Sequence, residues 1–147
     1  MFMKVKDCMC NEIFYATTQN TVKDCANIMC DEHVGCVPVC DNDKNLVGLV
    51  TDRDIILRCI ACDKDPKTTP ITDIMTCNPC CCTTDADITE VENLMSKNQV
   101  KRIPVLENNK IVGILTLGDL AKNGKIDDKC VSNTLNNICG CDDKNAE

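Results

Sequence analysis

The sequence has no tryptophan, one tyrosine and two phenylalanines, so aromatic residues are only 2% of the chain. A core must therefore be assembled from Val, Ile, Leu, Met and Cys, and few aromatic faces remain on which single-stranded nucleic acid could stack. Positive charge is also in deficit. The net charge is −7 and the isoelectric point about 4.7, which argues against binding along a phosphate backbone. No apolar run approaches the roughly 18 residues of a membrane span, and the opening Met1-Phe2-Met3-Lys4-Val5-Lys6-Asp7 has no apolar stretch of a signal peptide. These absences predict a cytoplasmic protein that binds neither nucleic acid nor membrane. Histidine is nearly missing too: His33 stands alone, without a P-loop, a Gly-x-Gly-x-x-Gly turn or a nucleophile paired with a base, so no enzyme is expected.

Cysteine is abundant, at 15 of 147 residues. In a short exported chain that number would suggest a disulfide scaffold. Here the count is odd, no export signal is seen and a regular apolar pattern already exists, so reduced thiols are expected. Hydrophobic residues at 44% and charged residues at 27% fit a globular protein whose length allows one ordinary domain or two very small ones sharing a core.

The chain matches itself at a shift of 66 residues, Val5–Asp43 against Ile71–Asn109. After one deletion at Lys44, Asn45–Ile56 continues the match against Lys110–Ala121. Identical pairs include Asp7/Asp73, Met9/Met75, Thr17/Thr83, Pro38/Pro104, Gly48/Gly113, Thr51/Thr116 and Asp54/Asp119. Two copies of so long a period indicate duplication of a small domain. Each copy predicts an amphipathic helix opened by a capping-box spacing, Thr21 to Asp24 or Asp87 to Glu90. Val22, Cys25, Ala26 and Met29, repeated by Ile88, Val91 and Met95, form its apolar stripe. A hairpin follows, Cys36–Cys40 with Leu46–Thr51 or Arg102–Leu106 with Ile111–Thr116, and a closing helix begins at Asp52 or Leu117. The expected fold is α+β, two β-α-β-β-α repeats packed with pseudo-two-fold symmetry. The expected domains are 1–62 and 71–123, joined by a linker at 63–70 and followed by a polar tail, 124–147, in which Val131, Leu135 and Ile138 have helical spacing.

Each second strand runs into Gly48-Leu-Val-Thr51-Asp-Arg-Asp54 or Gly113-Ile-Leu-Thr116-Leu-Gly-Asp119. A Gly-apolar-apolar-Thr-x-x-Asp motif after such a hairpin, preceded by a Val/Ile-Pro-Val strand, resembles the cystathionine-β-synthase (CBS) domain, and two in tandem resemble a Bateman module. The resemblance spans residues 5–121. It implies a regulatory, non-catalytic module that senses AMP, ADP or ATP in clefts between the repeats, needs no cofactor, forms a homodimer through its helices and signals to a regulated protein that is not identified. It also implies residue roles: Asp54 and Asp119 hold the ribose, while Thr51 and Thr116 orient the phosphate. The physics agrees, since a carboxylate in the first helical turn stays ionised and can accept both ribose hydroxyls, and N–H groups at a strand-to-helix junction suit a phosphate. Cations are expected to assist, Lys101 and Arg102 at the second motif and Arg53 at the first. Adenine would lie near Ile13, Tyr15 and Val37, or near Pro79, Cys80 and Ile103.

Several cysteines align with hydrophobes of the other copy: Cys8 with Ile74, Cys25 with Val91, Cys40 with Leu106 and Cys80 with Phe14. They are read as small core residues, and most thiols are expected to be buried. One spacing leaves an alternative open. Cys59-x-x-Cys62 and Cys77-x-x-Cys80 approximate a four-thiolate zinc pattern, which would make the chain a metal or thiol-redox sensor on the same scaffold; no metal is the preferred reading.

Overall fold

Two helices of near-identical design organise the computed structural model, which describes residues 3–122. Helix α1 spans Val22–Glu32 and α3 spans Ile88–Asn98. Thr21 caps α1 with its hydroxyl on the Asp24 N–H, and the Asp24 carboxylate accepts in return from the Thr21 N–H. This is the expected capping box, and the Thr21 N–H, with Asn20 beside it, holds the Asp24 carboxyl below its ordinary value. At α3 the expectation holds only in part. Asp87 is the cap, but it accepts from the Thr89 N–H at 2.9 Å and forms no reciprocal pair with Glu90. Each helix ends on a left-handed residue, His33 or Gln99, with φ of 55° in both. The lone histidine is thus a helix terminator, exposed to solvent.

After β1 (Ala16–Thr17) and α1, strands β2 (Cys36–Cys40) and β3 (Leu46–Thr51) form the first hairpin, and α2 (Asp52–Ile55) continues as a π-helical stretch, Ile56–Ile60. Strand β4 (Thr76–Cys77) leads to β5 (Cys82–Thr83), and after α3 come β6 (Arg102–Glu107), β7 (Lys110–Thr116) and α4 (Leu117–Lys122). The sheets are ordered β1-β2-β3-β4 and β5-β6-β7. In each, a short first strand lies parallel to its neighbour and the hairpin is antiparallel. The α+β class and the repeated order are as expected.

The compact units and the sequence repeats do not coincide. Residues 14–79 form one unit, and 3–13 with 80–122 form the other. The leading segment of each copy packs on the helix of the other. Met3 O accepts from the Ile88 N–H at 3.0 Å, and Thr69 O accepts from the Val22 N–H at 2.9 Å. Val5 donates to Ala86 O and Ile71 to Asn20 O, again at equivalent positions. These bonds satisfy N–H groups that the first turn of a helix leaves unpaired. The stretch 63–70 does the same work, with Pro66 O accepting from the Lys23 N–H and Thr69 buried. The tail stripe Val131, Leu135 and Ile138 lies outside the described residues.

Each unit has its own core. Val22, Cys25, Val37, Val39, Val50, Cys59, Ile71 and Ile74 fill one; Val5, Cys8, Val91, Met95, Ile103, Val105, Leu115 and Leu120 lead the other. Cys8 and its counterpart Ile74 are both buried, as are Cys25 and Val91. The core-filler reading applies to half of the described cysteines: Cys8, Cys25, Cys36, Cys40, Cys59 and Cys82 are buried, Cys80 is half-buried, and Cys10, Cys30, Cys62, Cys77 and Cys81 are exposed.

Loss of solvation pushes the Cys25 thiol up to about 12, aided by Asp24, and Cys82 up to about 12, aided by Cys81 and Cys80; Cys40 rises to about 11 beside Asp41. Below the ordinary value of 9.0 these thiols are neutral in both the folded and the unfolded chain. Above it the unfolded chain ionises first, so stability is expected to fall as pH rises from about 9 toward 12. Urea midpoints measured at pH 8 and pH 10 under reducing conditions check the sign. At neutral pH a thiol reagent should label the five exposed cysteines among the described residues quickly, and the six buried there only after unfolding. Rapid native labelling of Cys25 would contradict the packing.

Candidate functional site

The Thr-x-x-Asp motifs lie where β3 enters α2 and where β7 enters α4. In the first, Thr51 Oγ1 accepts from the Asp54 N–H at 3.1 Å, and Asp54 Oδ2 accepts from the Thr51 N–H at 3.0 Å. In the second, Thr116 Oγ1 accepts from the Asp119 N–H at 3.0 Å and Asp119 Oδ2 from the Thr116 N–H at 3.1 Å. Both are capping boxes, and all four residues are half-buried. The spacing that announces such a box at Thr21–Asp24 is equally present here. One carboxylate oxygen of each Asp is therefore held by the backbone, which fixes where the other oxygen points.

Internal hydrogen bonds engage N–H groups expected to suit a phosphate. At the first motif Asp52 N–H donates to Gly35 O at 3.0 Å, Arg53 N–H to Asp52 Oδ1 at 2.8 Å, and Asp54 N–H to Thr51. At the second, Leu117 N–H donates to Lys101 O at 3.0 Å. At the first junction, where all three of these N–H groups are engaged, an anion must rely on side-chain cations.

Those cations are close in register. Arg102 is the cross-strand partner of Thr116, where the first unit has Cys36 opposite Thr51. Lys101 is joined to the junction through its carbonyl, and the side chains of Lys101, Arg102 and Arg53 are all exposed. The apolar candidates divide differently. Val37 and Ile103, paired with Val50 and Leu115, are fully buried, so their side chains belong to the cores and only their backbone could meet a ligand. Ile13, Tyr15, Pro79 and Cys80 are half-buried at the edges of the units. Tyr15 and Pro79 fall in the unit of the first motif, and Ile13 and Cys80 in that of the second.

One residue escaped the sequence reading. Arg58 follows Asp54 by one helical turn, and its Nε lies 3.8 Å from Asp54 Oδ1, with side-chain exposures of 50% and 15% respectively. Its Nη1 donates to Ile74 O at 3.0 Å and to Thr76 Oγ1 at 3.4 Å. The i, i+4 spacing is a legible signal for such a pair.

The cysteine alternative gathers no site among the described residues, where no group of three or more His, Cys, Asp or Glu side chains is placed to hold a metal. Cys59 is buried with its thiol on Lys64 O, Cys62 bonds Leu57 O, and Cys77 is exposed on β4. Among the same residues no helix is long and apolar enough to cross a membrane.

Comparison with known proteins agrees with this architecture. The chain is 47% identical over 119 residues to the uncharacterized protein YlbB of Bacillus subtilis, covering 80% of each. It superposes on the crystal structure of Hypoxic Response Protein I, which has two coordinated zinc ions, with a TM-score of 0.76 and 30% identity, covering 82% of this chain and 98% of that one. The CBS domain pair of protein MJ0100, in complex with 5'-methylthioadenosine and S-adenosyl-L-methionine, gives a TM-score of 0.76 at 27% identity, with 86% and 100% covered. The sequence model of the CBS domain matches twice, at residues 5–60 and 71–125. With both repeats matched and the fold shared, the chain belongs to the CBS domain family.

Proposed function

We propose that the chain is a regulatory, non-catalytic module that takes an adenine nucleotide, AMP, ADP or ATP, at its Thr51–Asp54 and Thr116–Asp119 junctions. The observation that carries this reading is the same reciprocal Thr/Asp pair at the same strand-to-helix junction in both units. A carboxylate anchored through one oxygen and carried on a short rigid turn is preorganised to accept from a ribose diol, which lowers the ordering cost of binding. Lys101 and Arg102 equip the second junction for phosphate, and Arg53 the first. The adenosine-containing ligands of the MJ0100 domain pair support the ligand class. A thermal-shift panel of AMP, ADP, ATP, NAD and S-adenosylmethionine tests the reading. Stabilisation by at least one at millimolar concentration is expected, and none at all would remove it.

The same reading makes the protein a cytoplasmic homodimer joined through its closing helices. Ile56, Leu57 and Ile60, on the turn after α2, are 58%, 49% and 54% exposed in the single chain, an apolar cluster suited to burial against a second copy. Light scattering should return twice the chain mass, and Leu57→Lys should shift it toward the monomer. The cysteine-based sensor has no comparable geometry behind it, and metal analysis of protein purified without chelator should find none bound in stoichiometric amount.

A further inference from the structure

Asp54 presents an electrostatic difficulty if its junction is to receive a nucleotide. Its carboxylate would lie within a few ångströms of a ligand carrying negative phosphates, and like charges at that range oppose binding. Arg58 stands where this is relieved. Its Nε is 3.8 Å from Asp54 Oδ1, too long for a hydrogen bond but well within Coulomb range, so the oxygen keeps its lone pairs for a hydroxyl while its charge is balanced. The guanidinium is fixed in this position from the far side, with Nη1 donating to Ile74 O and Thr76 Oγ1. That anchoring distinguishes it from a solvated lysine or arginine free to swing away. At the equivalent position of the second repeat the sequence has Asn123.

We propose that Arg58 is a positioning and specificity-determining residue of the first junction, balancing Asp54 so that the site accepts an anionic nucleotide rather than only a neutral nucleoside. The inference rests on the nucleotide reading above and adds the charge class that the first junction selects.

The test uses the full chain carrying Asp119→Ala, so that only the first junction reports, titrated calorimetrically with AMP and with adenosine. Arg58→Gln should weaken AMP about three- to tenfold and change adenosine less than about twofold, the size expected for removing one charge in a partly screened site. Arg58→Lys, which keeps the charge but loses the anchor, should restore part of the AMP affinity relative to Arg58→Gln, and the gap between AMP and adenosine should shrink as salt is raised. Equal weakening of both ligands by Arg58→Gln would make the residue a mere structural strap and overturn the proposal; so would no change in either. If the Asp119→Ala chain with Arg58 intact binds neither ligand, nucleotide binding at the first junction fails and the role of Arg58 falls with it. Circular dichroism melts of each variant establish that the junction is folded when it is titrated.

Discussion

Replacing Asp54 and Asp119 together by alanine should abolish adenine-nucleotide binding at concentrations that saturate the parent chain. Binding in the micromolar range corresponds to about −8 kcal/mol, and charge-assisted hydrogen bonds to a ribose contribute roughly 1.5–3 kcal/mol each. Each single replacement should therefore weaken its own site by about 10- to 100-fold. Alanine has a second effect, because the carboxylates also serve the fold. Each Asp is half of a capping box, and its removal frees the N–H of Thr51 or Thr116. Loss of such a cap costs about 0.5–2 kcal/mol. Asparagine separates the two roles, because its amide oxygen can still accept from the Thr N–H while the negative charge is gone. Asp54→Asn and Asp119→Asn should melt close to the parent yet bind more weakly in calorimetric titration. A double alanine variant that binds as tightly as the parent would end the ribose assignment.

The second large effect is expected at a glycine. Gly113→Ala should destabilise its unit by about 2–3 kcal/mol, the range for overpacking against groups that cannot yield. A β-carbon there would come within 2.9 Å of the Cys10 carbonyl oxygen and 2.8 Å of Met9 Sδ. The carbonyl is backbone and is held in place, since Cys10 and Ile114 exchange hydrogen bonds of 3.0 and 3.2 Å. Gly48→Ala is the control. The three atoms nearest its β-carbon all belong to the side chain of Met75, whose three rotatable bonds let it move aside. It should cost about 1 kcal/mol or less, so urea denaturation of the two variants should separate them clearly. Equal costs would mean that the Met9–Cys10 segment does not press on β7 as the structure has it.

Much of the fold was legible because it is written in short-range patterns. The capping box at Thr21, the i, i+3, i+4, i+7 stripe of α1 and the β-branched hairpin Cys36–Thr51 each involve neighbours in sequence, and each formed. The exception, Asp87, shows the limit: an aspartate can reach either of two N–H groups, and the spacing to Glu90 does not choose between them. The candidate site was legible in its motif and less so in its surroundings. Val37 and Ile103 alternate correctly for a strand, but alternation does not say which face is the core, and both proved to be core. Cys8, Cys25 and Cys40 were likewise placed in the core by their hydrophobic counterparts, whereas Cys80, aligned with Phe14, is only half-buried.

By itself the sequence determined the duplication, the order of elements in each copy and the Thr/Asp pairs, because periodicity, caps and turns depend on residues within a few positions of one another. Only the tertiary structure decided which helix receives each leading segment. Met3 bonds to Ile88 and Thr69 to Val22, partners that no local pattern names, since the donors at the start of one helix are identical in kind to those of the other. The same holds for Arg58. Its spacing from Asp54 is local, but the Ile74 carbonyl that fixes it lies 16 residues away and arrives only when β4 pairs with β3.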